Sequence, residues 1–124
     1  MSLKIHSVVN SNLPSSEHVW LKPSIAVNLI GYAIVDRTFD VNGKVSNEFK
    51  HIFIFPNLAI AKEDWVRLYT GNGSYSKTKI TDGEGYIHNF YWGSGECVWN
   101  NNGADVASLI KYSVINQVTV PSPK

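Results

Sequence analysis

Acid–base chemistry near neutral pH needs an imidazole or a pair of interacting carboxylates. The histidines here are His6, His18, His51 and His88, and the acids that stand close in sequence are Glu63-Asp64 and Asp82 with Glu84. No two histidines have i, i+4 or clustered metal-ligand spacing, and the lone Cys97 excludes an all-cysteine zinc site. His6, His18 and His88 fall in alternating segments that predict strands, with their rings on solvent faces. His51 lies in a strand expected to be covered on both faces, where it satisfies a core hydrogen bond. The acid pairs fall in turns, where carboxylates are ordinarily solvated. Ser94, in Gly93-Ser94-Gly95, lacks the strand–Ser–helix setting of a nucleophile elbow. Glu96 beside Cys97 is expected to raise the thiol pKa, against the thiolate a nucleophile needs. Gly71-Asn72-Gly73 lacks the lysine and following helix of a phosphate cradle. No enzyme activity is expected. A hydrolase would need a pocket joining His51 or His88 to an acid within hydrogen-bond reach.

The stretch Trp99 to Ile110, "WNNNGADVASLI", admits a metal loop or a turn. A calcium loop needs spaced carboxylates and a bidentate acid downstream, and Asn100 to Asp105 supplies one carboxylate. Asn and Gly tolerate positive φ, and Asn and Asp side chains hydrogen-bond nearby backbone. A structural turn is therefore expected, with Trp99 buried before it and its N–H met by a loop carbonyl. Asp105 is expected to fix the re-entry of Val106 to Leu109. No metal and no cofactor are expected.

The elements that must position these groups read as strands. Glu17 to Lys22 alternates and stops at Pro23. Ser24 to Leu29 puts Ile25, Val27 and Leu29 on one face, and Gly31 breaks the run before Tyr32 to Asp36. Val41-Asn42-Gly43-Lys44 suits a tight turn. Phe49 to Phe55 is the most apolar segment, Trp65 to Thr70 alternates, and Gly71 to Ser74 and Asp82 to Gly85 are turns. Tyr86 to Trp92, Val106 to Tyr112 and Val114 to Val120 complete the set, while Leu58 to Asp64 holds one helical turn at most. The expected fold is all-β, a β-sandwich or small barrel of about eight or nine short strands.

Composition agrees with one domain. The chain has 124 residues, 44% of them apolar, and eleven Lys/Arg against ten Asp/Glu. Balanced charge gives no field to steer it to nucleic acid. No apolar run approaches the roughly 20 residues of a membrane span. Lys4, His6 and Asn10 argue against a signal peptide, Met1-Ser2-Leu3 reads as an added leader, and the compartment is left open. The domain is expected over residues 1–118, with 119–124 as a tail or linker.

With the strands placed, an ordered set of motifs resembles the lamin tail domain family, bacterial-type members especially. The signature residues are Tyr69-Thr70-Gly71, Tyr91-Trp92-Gly93, Trp99-Asn100-Asn101, Gly103, Asp105 and Leu109. Upstream, Glu17-His18-Val19-Trp20-Leu21, Leu29 to Asp36 and Phe53-Ile54-Phe55-Pro56 follow in order. Ala104 adds one residue between the Gly and the Asp, and Ala61-Lys62-Glu63-Asp64 stands where a Pro-Gly turn is usual. The resemblance covers about residues 3 to 118 and implies an immunoglobulin-like β-sandwich.

By that resemblance the expected role is a non-catalytic interaction or structural module, an accessory domain contacting an unidentified protein partner. Self-association through Ser113 to Val120 as an edge strand is another form of it. The alternative is carbohydrate or surface-polymer binding through exposed aromatics, Trp65 and Tyr69 foremost, within a set that includes Trp20, Tyr75, Tyr86 and Tyr91. Tyr75 with Lys77 and Lys79 makes a small basic–aromatic cluster. Nucleic-acid binding is disfavoured, because that cluster falls far short of a basic stripe.

Overall fold

The computed structural model describes residues 2–39, 45–99 and 106–123, of which 37–39 and 45–50 are described by backbone only. Its strands are β1 (Leu3–Val9), β2 (His18–Pro23), β3 (Val27–Asn28), β4 (Tyr32–Phe39) and β5 (Val45–Ile54). They are followed by β6 (Ala59–Ile60), β7 (Trp65–Tyr69), β8 (Ser76–Lys79), β9 (Tyr86–Tyr91) and β10 (Val106–Lys111). A five-stranded sheet has the order β1-β2-β7-β9-β8, a three-stranded sheet β10-β4-β5, and β3 pairs with β6. The fold is an all-β sandwich. β1, β6 and β8 add to the strands expected from sequence.

Alternation explains why the two sheets face each other. Val19 and Leu21 of β2 and Val66 and Leu68 of β7 are buried, while their neighbours Trp20, Arg67 and Tyr69 are half-buried on the opposite face. From the smaller sheet, Ile34 joins the same cluster, with Phe53 and Leu109 packed against it. Phe55 lies within 5.3 Å, ring to ring, of Phe90 on β9. Burying each such side chain is worth roughly 1.5–3 kcal/mol, so this layer is the main source of stability.

The β7–β9 pairing is parallel, aligning Trp65, Arg67 and Tyr69 with Ile87, Asn89 and Tyr91. β8 pairs antiparallel with β9, setting Ser76 against Asn89 and Thr78 against Ile87. These registers place the outward residues of three strands in rows on one surface.

Several expectations are corrected. Ser24 to Leu29 forms only the two-residue β3, and Ile25 is exposed. Beyond β3, Asn28 Oδ1 accepts the N–H groups of Ile30 and Leu58 and so turns the chain instead of extending it. Leu58 to Asp64 holds the unexpected short strand β6, followed by one tight turn in which Asp64 N–H donates to the Ala61 carbonyl, within the single turn at most expected there. The strand of Phe49 to Phe55 is not covered on both faces: Ile52 and Ile54 are 48% and 53% exposed. It is an edge strand whose outer face carries no described element. Val114 to Val120 forms no strand, and Ile115 is 97% exposed. Tyr112 N–H donates to the Gly31 carbonyl, after which the chain pairs with no strand edge. The turn expected at Val41 to Lys44 lies outside the described residues.

Candidate functional site

Two buried carboxylates show how the interior polar groups are spent. Glu17 is fully buried, and its Oε1 accepts from the Thr70 hydroxyl (2.7 Å), Val98 N–H (2.8 Å) and Trp99 N–H (3.3 Å). It thereby ties the end of β7 to the segment before the Asn-rich stretch. Trp99 is 5% exposed, lies in the core and meets Trp92 edge-on. Its indole Nε1 has no hydrogen-bond partner among the described residues, and the loop whose carbonyl is expected to meet it lies outside them. Asn100, Asn101, Gly103 and Asp105, the heart of the expected turn, lie outside the described residues.

Asp64 is also buried, not solvated as its place in a turn suggests. It accepts Ala61 N–H (3.0 Å), Tyr86 N–H (3.0 Å) and His88 Nε2 (2.8 Å). Burial alone would raise its pKa, but these donors and the imidazole outweigh burial and hold it below the usual carboxylate value. His88 is buried as well, contrary to the solvent face expected, because it shares its parity on β9 with Phe90, which lies in the core. Tyr75 O–H reaches His88 Nδ1 at 2.8 Å. Burial, with the charge of Asp64, pushes the Tyr75 phenol up and keeps it a hydrogen-bond donor. Gly85, at φ +94°, passes so close that a Cβ there would sit 2.6 Å from the Glu63 carbonyl oxygen. Only glycine fits this approach.

His51 hydrogen-bonds Asp36 (3.0 Å), as expected, but its side chain is 40% exposed rather than deep in the core. Both histidines of the hydrolase reading therefore reach an acid, yet neither lines either hollow described below. The Cys97 thiol is pushed up by burial first and then by Glu17, not by the exposed Glu96. Among the described residues, no group of three or more His, Cys, Asp or Glu side chains gathers as a metal site. No helix among them is long and apolar enough to cross a membrane.

The outer face of the five-stranded sheet differs from these closed clusters. Trp20 and Trp65 meet edge-on at 5.7 Å, with His6 against Trp65 at 5.0 Å. Tyr69 and Tyr91 stack at 5.3 Å and 13°. Between them lies Arg67, its guanidinium 4.8 Å from the ring centres of both Trp20 and Tyr69. Two hollows open on this face. One, of about 360 Å³, is mostly apolar and is bounded by His6, Val9, Trp20, Trp65, Ile80 and Ile87. The other, of about 350 Å³, is polar and includes Arg67, Tyr69, Asn72, Ser76, Thr78 and Asn89. Tyr91 forms part of its wall, and Gly73 lies so close that a Cβ there would come within 2.4 Å of the Tyr91 ring.

The surface expected from sequence thus divides. Trp65 and Tyr69 are together on the outer face, half-buried and joined by Trp20 and Tyr91. Tyr75, Lys77 and Lys79 stand on the opposite parity of the β8 edge, where Lys77 pairs with His88 and both lysines lie over Tyr86. Arg67 and Asn89 were not singled out by sequence. Their signal was the period-two alternation, which puts Arg67 between two outward aromatics two residues either side.

The signature positions Thr70 and Gly71 close the end of β7: Gly71 N–H donates to the Pro14 carbonyl, and Gly93 N–H to that of Gly71. Leu109 packs on the core from β10. No family model, no curated protein and no solved structure matches this chain.

Proposed function

We propose that the chain is a non-catalytic binding module that takes a carbohydrate or surface polymer along the outer face of its five-stranded sheet. A protein partner and a polymer both suit the non-catalytic class read from sequence. What favours the polymer is one observation: half-buried aromatic rings and a polar hollow share a single face, each flanking Arg67. Aromatic rings cover the C–H faces of sugars, and amide and hydroxyl groups fix their oxygens, the usual division of labour in a ligand site. Titration of the intrinsic tryptophan emission with soluble polysaccharides tests this. Saturable change in the native chain and at least tenfold weaker binding in Trp65→Ala are expected. An emission unmoved by every polymer would defeat the proposal.

The lamin-tail resemblance and the immunoglobulin-like topology belong to the same proposal. In support, the matched motifs fall in order at β2, β4, β5, β7, β9 and β10. A second reading, self-association through residues 113–120, is favoured by Val114, Ile115, Val118 and Val120 being 61–97% exposed. Sizing the chain with and without these residues separates the two.

A further inference from the structure

Resting on the reading of this face as a carbohydrate site, we infer that the sugar is acidic, a uronate whose carboxylate pairs with Arg67. Arg67 sits on β7, the middle strand of the sheet. Its Nε donates to Asn89 Oδ1 at 2.9 Å, and the rings of Trp20 and Tyr69 hold the plane of the guanidinium. Asn89 is itself 3% exposed and fixed from below, its Nδ2 donating to Ser76 Oγ and Thr78 Oγ1 at 3.3 Å. The amide is therefore held with its oxygen toward the arginine.

The two terminal nitrogens of Arg67 have no hydrogen-bond partner among the described residues. The ion pairs present among those residues are both His–Asp, at His51–Asp36 and His88–Asp64. No residue lining either hollow is an aspartate or glutamate, whereas the face also carries Lys22, whose ammonium lies 5.1 Å from the Trp65 ring centre. A half-buried, pre-oriented guanidinium without a carboxylate is matched to a planar anion taken two-pronged. The surrounding Asn72, Ser76 and Thr78 offer uncharged donors and acceptors suited to sugar hydroxyls. The neighbouring hollow offers Trp20 and Trp65 to the next unit, since Trp65 and Arg67 are about 6.7 Å apart along the strand. A nucleic acid would need several phosphate-binding cations, and Lys77 and Lys79 stand on the other parity.

The test uses the intact chain in calorimetric titrations with polygalacturonate, with its methyl-esterified form, and with polyglutamate. Polygalacturonate is expected to bind at least tenfold more tightly than the ester, and the difference should shrink as salt is raised. Arg67→Gln should abolish that preference, and Arg67→Lys should restore it only in part. Equal binding of acid and ester overturns the inference but leaves the carbohydrate proposal standing. Polyglutamate binding as tightly as polygalacturonate overturns the assignment to sugar. Failure of both polysaccharides to bind overturns the inference, and silence of every other polymer in the tryptophan titrations as well removes the carbohydrate proposal itself. Because acid and ester are compared on the unaltered chain, a poorly folding variant does not blunt the result.

Discussion

His88 and Asn89 are neighbours on β9 whose side chains leave the strand in opposite directions, and each anchors a polar network. Inside, His88 stands between Asp64 and Tyr75, and the donors around Asp64 all belong to the protein. Outside, Asn89 fixes Arg67, which lines an open polar hollow. Both networks contain a charged group, but only the inner one closes on itself. A buried polar group left unpaired is costly, so the interior network has to be complete for the fold to stand. The outer one can keep donors for a ligand, because water serves them meanwhile. The Glu17 cluster is closed on one side only: Oε1 gathers three donors from two distant parts of the chain, while the buried Oε2 has no hydrogen-bond partner among the described residues.

The contrast breaks if substitutions inside prove cheap or those outside prove costly. The largest effect is expected from Glu17→Ala, which strands three buried donors at once. A loss on the order of 3–5 kcal/mol should appear in chemical denaturation. Trp99→Ala is expected to cost a similar roughly 3–5 kcal/mol, as for other core aromatics, and a loss under about 1 kcal/mol would deny it a core role. Asp64→Asn should cost about 2 kcal/mol at neutral pH, the scale of hydrogen bonds to a charged acceptor. Its dependence on acid sharpens the point. The folded carboxyl has a lowered pKa, so its stabilisation is complete above the ordinary value near pH 4. That contribution fades as pH falls through the lowered one. The gap between native chain and variant should therefore narrow in acid, and a gap that widens there would contradict the arrangement. Smallest is Arg67→Gln, which forfeits two cation–ring contacts and one hydrogen bond on a half-exposed group. About 1 kcal/mol, a few degrees in thermal melting, is expected.

Much of this fold was legible in the chain. Alternation at Glu17 to Lys22 and at Trp65 to Thr70 marks which residues of β2 and β7 are core, and Pro23 is where β2 ends. Less legible were the short or polar strands. β8, Ser-Lys-Thr-Lys, is exposed throughout and has no apolar period to read. Val114 to Val120 has strand-like residues yet forms none, because local preference supplies no pairing edge. The site was half legible. Trp65 and Tyr69 could be paired by parity, but grouping them with Lys77 and Lys79 followed proximity in sequence, which does not carry across a sheet.

Strand-forming segments, their inward rows and most of their turns were set by residue order, since side-chain period and turn chemistry are local. Tertiary structure alone decided that β7 and β9 run parallel and that β9 enters between β7 and β8. That insertion sets Asn89 beside Arg67 and His88 near Asp64, residues 22 and 24 positions apart. Partners so distant are chosen by sheet register and burial, and neither is a property of any single stretch of chain.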